Sequence, residues 1–438
     1  MKKTKVIILG GGFGGVYSAL RLDKTLARRA DVEVTLVSRD NFLLFTPMLH
    51  EVASGDLNPS DIVNPIRRMV KRVQFVQADV RLIDLAAKRV HCTHGLRPLP
   101  LDLDYDHLVL ALGSETNFFG MQGVAENAVT LKTLGDAALL RARVLGILEM
   151  ASLEPDAAVR ERMLTFVVAG GGFAGVETVG AINDLVHDAL RYYSQLAPHE
   201  VRVVLVHPGE FVLPELGATL GRYAQQKLVE RGVEIRPRTK VTNYIDSLVA
   251  VSSGEAVPAA TLIWTAGVTP NPVIARLPCK KEKGRVVVDE FLEVPGFAGL
   301  WAMGDCASVP DGNTGGPQPP TAQHALRQAR HAAKNIEAVL AGRQKKPFRF
   351  STIGQLASIG HRHGVANILG MTFSGFVAWF LWRSVYLLKL PRLAKKTRVA
   401  LSWVLEMIFS KDLEQMLTLR DVEVISRIAT SLRSDVAD

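Results

Sequence analysis

The chain alternates short apolar runs, rich in β-branched residues, with glycine clusters and amphipathic stretches. Lys5–Leu9 and Thr165–Ala169 each lead into a glycine cluster. A helix-compatible stretch and then a second apolar strand follow each cluster, at Tyr17–Arg29 and Val32–Ser38 and again at Glu177–Leu190 and Val201–His207. This repeated strand–turn–helix–strand order predicts an α/β fold with two doubly wound Rossmann-type domains.

Three later strands extend the pattern. They are predicted at His107–Leu112, at Leu262–Ala266 and at 299–303, where the last strand ends in Gly304-Asp305. A Pro/Gly-rich loop at Val309–Pro320 and a helix over Thr321–Ala341 follow. Beyond Gly342 the composition becomes basic and then rich in tryptophan, which indicates a separate C-terminal region.

Both glycine clusters have the spacing of a dinucleotide-binding turn, as Gly10, Gly12 and Gly15 and as Gly170, Gly172 and Gly175. Such glycines permit a tight turn and the close approach of a pyrophosphate to a helix N-terminus. The acidic residue that usually holds a ribose is missing from both copies. Ser38 and Arg39 stand there in the first copy and His207 in the second, so the choice between NADH and NADPH stays open.

Composition narrows the function classes. The 438 residues are 48% hydrophobic and carry a formal net charge of +9, which favours an anionic partner. The three cysteines are far apart with no CxxC, so we expect neither a disulfide scaffold nor a metal site. The apolar run at Val6–Leu9 is shorter than the roughly 7–15 residues of a secretory signal, so no export signal is expected. The uncharged window Gly364–Trp382 is too rich in glycine and polar residues for a good membrane-spanning helix.

Two dinucleotide folds in one chain resemble the two-dinucleotide-binding-domain flavoproteins, and within them the type II NADH dehydrogenases. The motifs that carry the resemblance are Phe45–Leu49, Ala111–Ser114, Gly175–Glu177, Trp264–Val268, Trp301–Ala307 and Pro319–Ala325. Disulfide-reductase relatives place a cysteine pair just after the first ribose strand, where Asn41–Leu49 has none.

The resemblance implies a nested arrangement. Residues 1–115 and 286–345 would bind FAD, residues 116–285 would bind NAD(P)H, and residues 346–438 would be an amphipathic helical region that anchors the protein to the membrane. The expected FAD contacts are Gly10, Gly12, Phe13, Gly14, Gly15, Ser38, Arg39, Ala111, Gly113, Ser114, Gly304, Asp305, Ala322 and Gln323. The expected NAD(P)H contacts are Gly170, Gly172, Phe173, Ala174, Gly175, His207, Ala266 and Gly267.

The same resemblance implies that NADH reduces FAD, which then reduces a membrane quinone. Glu177, Gln323, Thr46 and Pro47 would serve the reaction, Glu177 in proton delivery or positioning, and Phe45, Gln323 and Arg327 would contact the quinone. In the family, the glutamine that corresponds to Gln323 is followed four residues later by a second glutamine. This chain has Arg327 at that position, and its next glutamine, Gln328, comes one residue later. Arg327 shares a helix face with Gln323, whereas Gln328 lies about 100° away from Arg327.

The C-terminal region indicates where the protein works. Phe376–Leu405 has no acidic residue and has six basic ones, with three of the five tryptophans at Trp379, Trp382 and Trp403. We expect two helices broken by Pro391, lying on the cytoplasmic face of the membrane with rings at headgroup level and cations toward anionic lipid. Nucleic acid is disfavoured by the apolar density. Domain or dimer packing is the alternative, and a homodimer through this region stays open.

Two other functions compete with the quinone reductase. One is a soluble NAD(P)H-dependent flavin reductase or oxidase with a non-quinone acceptor, and the other is an NADH-binding sensor with negligible turnover. The soluble reductase or oxidase would not partition to membranes, and the sensor would show negligible turnover, so these two measurements distinguish them from the quinone reductase.

Overall fold

The computed structural model describes residues 3–95, 99–312, 315–409 and 411–415. The elements of the first 116 residues are β1 Thr4–Leu9, α1 Phe13–Leu22, β2 Val32–Ser38, β3 Phe42–Leu44, α2 Leu49–Ala53, α3 Pro59–Ile62, β4 Val63–Pro65, α4 Ile66–Met69, β5 Gln74–Gln77, β6 Asp79–Asp84, β7 Arg89–His94, β8 Leu99–Asp104, β9 His107–Leu110 and β10 Ser114–Thr116.

The middle of the chain continues this numbering. Its elements are α5 Gln122–Asn127, β11 Val129–Thr130, α6 Leu134–Leu153, α7 Ala157–Met163, β12 Thr165–Ala169, α8 Phe173–Leu190, β13 Arg202–Val206, α9 Gly217–Glu230, β14 Val233–Arg236, β15 Val241–Ile245, β16 Leu248–Val251, β17 Ala256–Pro258, β18 Thr261–Trp264, β19 Val268–Pro270 and α10 Pro272–Ala275.

The last part of the described chain completes it. Its elements are β20 Lys281–Glu282, β21 Arg285–Val287, β22 Leu300–Ala302, β23 Ala307–Ser308, α11 Ala322–Val339, β24 Gly354–Gly360, β25 His363–Ile368, β26 Met371–Ser374, α12 Gly375–Lys389 and α13 Leu393–Ile408.

Two five-stranded parallel sheets carry the fold, as the sequence predicts. The first has the order β22-β9-β1-β2-β5 and the second the order β11-β18-β12-β13-β14. In each, the strand that precedes the glycine turn is central, with Leu9 paired to both Val37 and Leu110. Ligands of such sheets bind in the crevice at the carboxyl ends of the strands, where both glycine turns lie.

The first unit is discontinuous in sequence. Strand β22 comes from beyond the second unit and pairs with β9, and α11 packs on α1. Ile274 and Leu277, which precede the expected boundary at residue 285, are also buried in the core of the first unit. The chain therefore returns to that unit soon after β19.

The C-terminal region begins with an antiparallel sheet, β24-β25-β26, that packs against α8 of the second unit. The break predicted at Pro391 is confirmed, because α12 ends at Lys389 and α13 begins at Leu393. Every helix in the described ranges is too short or too polar to cross a bilayer.

The predicted placement of the three tryptophan rings is wrong. Trp379, Trp382 and Trp403 are all buried against the protein. Each indole N–H needs a partner when buried: that of Trp382 donates to Glu177 at 3.0 Å and that of Trp403 to Glu51 at 3.1 Å. The exposed apolar side chains are others on the same helices.

Two of the six basic residues also point inward rather than to an anionic surface. The Lys395 ammonium donates to the carbonyl oxygen of Ser60. The Arg383 guanidinium lies 4.3 Å and 4.7 Å from the ring centres of Trp379 and Trp403. Lys389 and Arg398 stay exposed.

A glycine-to-alanine pair tests how closely the C-terminal sheet approaches the second unit. A Cβ on Gly180 of α8 would lie 2.6 Å from the carbonyl oxygen of Ile359 on β24. We expect Gly180→Ala to destabilise the fold by about 1–3 kcal/mol in urea unfolding, since backbone must shift. The control is Gly135→Ala in the first turn of α6, where the nearest atom is 3.7 Å away. It should be neutral or stabilising by up to ~1 kcal/mol, and equal losses would contradict the close approach.

Candidate functional site

The first glycine turn forms a cradle that only small residues permit. Gly10 has a φ of +113°, and a Cβ there would lie 2.1 Å from the carbonyl oxygen of Ala111. A Cβ on Gly15 would lie 1.8 Å from the carbonyl oxygen of Gly10. Nothing lies within 4 Å of a Cβ on Gly12, the N-cap of α1, so the turn is open on that side. The opening faces the N-terminus of α1, where a pyrophosphate fits.

The residues at the end of β2 differ in their access to this cradle. Ser38 is buried, and its hydroxyl oxygen would lie 2.2 Å from a Cβ on Gly11. Arg39 is exposed, with its guanidinium 3.9 Å from the Asp40 carboxylate. Ser38 is therefore placed at the turn itself, and Arg39 at its outer edge.

Asp305 is held by a polar cluster at the same crevice. It lies in the one-turn 3-10 helix Gly304–Cys306, and the Ser114 hydroxyl donates to its carboxylate at 2.7 Å. The Lys132 ammonium donates to the Ser114 hydroxyl at 2.9 Å, and burial lowers the pKa of Lys132. The predicted Ser114 and Asp305 are thus brought together, while Lys132 was missed.

Gln328 was also missed as a site residue. Its amide oxygen accepts from the Gly304 backbone N–H at 2.9 Å, and its amide nitrogen donates to Gln318 at 3.1 Å. It fixes the turn that presents Asp305. Its place on the buried side of α11, together with Ala325 and Ala329, was a usable signal. Ala322 begins the same helix.

The second glycine turn repeats the geometry of the first. Gly170 has a φ of +110°, and a Cβ there would lie 2.9 Å from Cα of Ala266. A Cβ on Gly175 would lie 1.6 Å from the carbonyl oxygen of Gly170. Phe173 and Ala174 begin α8 directly after Gly172, its N-cap. Around Gly172 the nearest atom to a Cβ is a Glu215 carboxylate oxygen, 3.9 Å away.

His207 lies beneath this turn rather than open to solvent. Its Nδ1 accepts a hydrogen bond from the Gly171 backbone N–H at 3.1 Å, which assigns the ring proton to Nε2. Burial lowers the pKa of His207, in spite of a hydrogen bond with the backbone of Phe211, so the ring is neutral. Glu215, whose carboxylate borders this turn at Gly172, was missed as a site residue.

The two turns are joined by a short antiparallel ladder. Strand β10 pairs with β19, with Ser114 opposite Pro270 and Thr116 opposite Val268. Ser114 contacts Asp305 of the first crevice, and Val268 directly follows Gly267 of the second. A Cβ on Gly267 would lie 2.7 Å from the Phe119 ring. The ladder therefore holds parts of both crevices a few residues apart.

Glu177 is a buried carboxyl group, not an exposed helix acid. The Trp382 indole N–H donates to its Oε1 at 3.0 Å, and His50 Nδ1 lies 3.6 Å from its Oε2. Burial raises the pKa of Glu177 to about 8, against the opposing hydrogen bonds of Ser358 and Trp382. Glu177 can therefore hold a proton at neutral pH.

Aromatic rings connect Glu177 to the first glycine turn. Trp382 packs on Tyr386 with ring centres 4.9 Å apart, Tyr386 packs on Phe45 at 6.2 Å, and Phe45 packs on Phe13 at 5.8 Å. Thr46 and Pro47 follow Phe45 in a 3-10 turn, Thr46 exposed and Pro47 half-buried. These residues form an apolar wall between the turn and the carboxyl group.

Gln323 and Arg327 face the C-terminal sheet. The Gln323 amide donates to the carbonyl oxygen of Gly354 at 3.1 Å, and Arg327 donates to the carbonyl oxygen of Gln323 at 3.0 Å. The Arg327 guanidinium lies 4.2 Å from the centre of the Phe350 ring, and burial lowers its pKa. On the same strand β24, Ser358 donates its backbone N–H to Glu177, four residues beyond Gly354. At the rise of a β-strand, the contact of Gln323 and the contact of Glu177 are therefore about 13 Å apart along the strand.

Comparison with known proteins agrees with this arrangement. Residues 4–329 match the pyridine nucleotide-disulphide oxidoreductase family, and residues 353–412 match the NDH2 C-terminal domain. A type II NADH:quinone oxidoreductase of Mycobacterium tuberculosis is 34% identical over 92% of this chain and 86% of its own length. The type II NADH:quinone oxidoreductase of Staphylococcus haemolyticus is 30% identical over 86% of this chain and 93% of its own length. The chain belongs to the type II NADH:quinone oxidoreductases.

The solved NDH2 of Plasmodium falciparum in complex with NADH has the same fold as this type II enzyme. It superposes with a TM-score of 0.88 at 20% identity and covers 94% of this chain and 100% of its own. The family description mentions disulphide chemistry, but the three cysteines of this chain are free and buried. The resemblance recognised in the sequence is confirmed.

The raised pKa of Glu177 gives a pH dependence of stability. A carboxyl group that binds its proton more tightly when folded stabilises the fold fully below its ordinary pKa, and loses that contribution as pH rises through about 8. We expect the melting temperature of the type II enzyme to fall as pH rises from about 5 to about 8, and to fall less in Glu177→Gln. The exposed Glu126→Gln is the control. Identical curves for wild type and Glu177→Gln would contradict a buried, protonated Glu177.

Proposed function

We propose that the protein oxidises NADH and reduces a membrane quinone, with FAD in the first crevice and NADH in the second. The observation that carries this proposal is the β10–β19 ladder, which connects the Ser114–Asp305 cluster of one dinucleotide crevice to the Gly267 turn of the other. FAD, when bound, would accept a hydride from NADH and donate two electrons to the quinone. No other chemistry is required of the protein beyond binding, orientation and proton supply.

The first crevice would hold the flavin nucleotide by distinct groups. The turn at Gly10–Gly15, with Phe13 at the start of α1, would take the pyrophosphate, and Ser38 a ribose hydroxyl. Ala111 and Gly113 would border the isoalloxazine side. Asp305, positioned by Ser114, Lys132 and Gln328, would accept hydrogen bonds from the ribityl chain. The open space at Gly12 and the hydrogen-bonded carboxylate of Asp305 support this fit.

The second crevice would hold NADH in the same manner. The turn at Gly170–Gly175 would take the pyrophosphate with the first backbone N–H groups of α8, at Phe173 and Ala174. Ala266 and Gly267 would border the nicotinamide. Glu215, 3.9 Å from a Cβ on Gly172, is the carboxylate available to a ribose hydroxyl in place of the neutral His207. A carboxylate there favours NADH, since it would repel the 2′-phosphate of NADPH.

The quinone would enter between the first crevice and the C-terminal sheet. Phe45, Thr46 and Pro47 would form its apolar wall, Gln323 and Arg327 would face it from α11, and Glu177 would supply a proton. The half-buried Arg327 guanidinium, already stacked on Phe350, can contact an apolar ring without a full loss of solvation.

The membrane would be approached by an apolar face on α12 and α13. We define this apolar face by its exposed side chains, which are Phe376, Val377, Phe380, Leu388, Leu393, Leu401, Val404, Leu405, Met407 and Ile408. Lys389 and Arg398 are exposed on the same two helices. An apolar face with basic flanks fits the surface of an anionic bilayer, and we place the protein peripherally on the cytoplasmic face.

The activity is tested by anaerobic oxidation of NADH and NADPH by the FAD-loaded protein, with and without a short-chain quinone. We expect rapid quinone-dependent oxidation of NADH and slower oxidation of NADPH. Gly175→Ala should retain the flavin absorbance but lose its bleaching by NADH, because the added Cβ would overlap the carbonyl oxygen of Gly170. Bleaching by NADH without turnover on quinone would refute the quinone assignment.

Membrane association is tested by flotation with vesicles that contain anionic lipid. Phe380→Asp with Leu405→Asp should reduce the bound fraction at least about tenfold, since each charge must leave water. The control is Leu153→Asp, because Leu153 is 82% exposed on α6, outside the apolar face. If the double variant binds vesicles as wild type does but changes from dimer to monomer in solution, the apolar face is a dimer interface instead.

A further inference from the structure

A polar cavity lies beside Glu177, and Phe45 and Tyr386 of the aromatic wall are not among the residues that line it. It has a volume of about 250 Å³, enough for several water molecules. Carboxyl groups of α2, α8 and α13 line its interior, among them Glu51, Glu177 and Glu406. Its lining also includes Tyr192, which is 64% exposed and is not part of the apolar face, so the cavity reaches the protein surface.

Side-chain contacts connect the groups at the α13 end of this cavity, and the charge of Glu51 acts electrostatically on Glu177. His50 follows Leu49 in α2 and lies 3.6 Å from Glu177, and Glu51 is its neighbour in the chain. Arg383 Nη2 lies 3.8 Å from Glu51 and 2.9 Å from Glu406. Glu406 shares a hydrogen bond with Asp56. Protonatable groups therefore extend from the cavity wall at α13 to Glu177.

Two buried polar atoms in this series point to water. His50 Nε2 and Arg383 Nε have no hydrogen-bond partner among the described residues, although both side chains line the cavity and are nearly excluded from solvent. Buried polar atoms are almost always hydrogen-bonded, to protein or to ordered water. Water in the cavity would satisfy both atoms and bridge the carboxyl groups.

The carboxyl groups are also suited to exchange protons near neutral pH. Burial raises the pKa of Glu51 to about 7 and that of Glu406 to about 8, in spite of the nearby Arg383 guanidinium. His50 stays neutral, because burial lowers its pKa to about 4. A relay is most effective when its members titrate near the operating pH.

The other charged groups that face this series are paired with one another. Lys411 forms ion pairs with Asp56 and with Asp188 of α8, and Arg231 of the segment after α9 pairs with Asp184. His361 donates its backbone N–H to Asp184 at 2.8 Å, and Arg362 and Arg191 lie at the surface. The two relay glutamates instead share one cation, Arg383, and Glu406 is joined to Asp56 of the neighbouring ion pair by a hydrogen bond.

We propose that this cavity is the route by which protons from solution reach Glu177 during quinone reduction, with Glu406 and Glu51 as relay groups. The proposal rests on the proposed function. NADH, one proton and a quinone give NAD⁺ and a quinol, so each turnover takes one proton from solution. Glu177 gives its proton to a quinone oxygen, and water in the cavity returns one through Glu406 and Glu51.

The test uses the FAD-loaded protein in stopped-flow experiments that separate flavin reduction by NADH from its reoxidation by quinone. We expect Glu406→Gln to slow reoxidation about tenfold and to leave reduction by NADH within about twofold of wild type. Formate or azide, small acids that carry protons, should restore the rate, as should Glu406→Asp. Glu414→Gln is the matched control, since Glu414 comes a few residues after α13, pairs with Arg141 and is not among the residues that line the cavity.

A second readout does not depend on turnover. In the resting holoenzyme, infrared titration should show protonated-carboxyl absorption at neutral pH that shifts promptly in D₂O, and Glu406→Gln should remove the contribution of one carboxyl group from it. If Glu406→Gln folds poorly, the stopped-flow and infrared measurements are made on Glu51→Gln instead. Unchanged reoxidation, equal slowing of both half-reactions, or absence of rescue overturns the relay. Wild-type protein that quinone does not reoxidise overturns the proposed function instead, and the infrared band still decides the relay.

Discussion

The hydrogen bond from the Trp382 indole to the Glu177 carboxyl group is the contact on which the site depends. It joins α12, in the C-terminal region, to α8, the helix that opens at the second glycine turn. Trp382 is fully buried, and the packing of α12 at this point removes Glu177 from water. This burial raises the pKa of Glu177, although the hydrogen bond itself acts in the opposite direction. A second contact of the same kind joins α13 to α2, where the Trp403 indole N–H donates to the Glu51 carboxyl group. Packing of the C-terminal region therefore sets the proton affinity of Glu177 through burial.

This contact explains why the C-terminal tryptophans do not lie at the surface. Aromatic and basic residues in one stretch are typical of a membrane-bound helix, but an indole N–H also pairs well with a buried carboxyl group. Trp382 is 205 residues from Glu177 in sequence, and no local pattern records that pairing. The apolar surface left over is formed instead by side chains such as Phe380 and Leu405.

The nested nucleotide folds could be predicted because their signals are local. A β-branched strand, glycines at fixed spacing and an amphipathic helix are adjacent in the chain, and β2 has the bounds that its apolar run predicts. The helices begin earlier than predicted, at Phe13 and Phe173, because the last glycine of each fingerprint lies inside the first turn. Lys132 and Glu215 could not be found in this way, since each reaches its site from another element, whereas the buried face of α11 offered a local signal for Gln328.

The close approach of β24 to α8 has a practical consequence for making a soluble form of the protein. Cutting the chain before the C-terminal sheet would take away its apolar helices, and with them the wall that keeps water from Glu177. Such a fragment would carry an ordinary acidic glutamate where the intact chain carries a protonated one. Solubility engineering is thus better directed at individual outward-facing side chains than at the length of the chain.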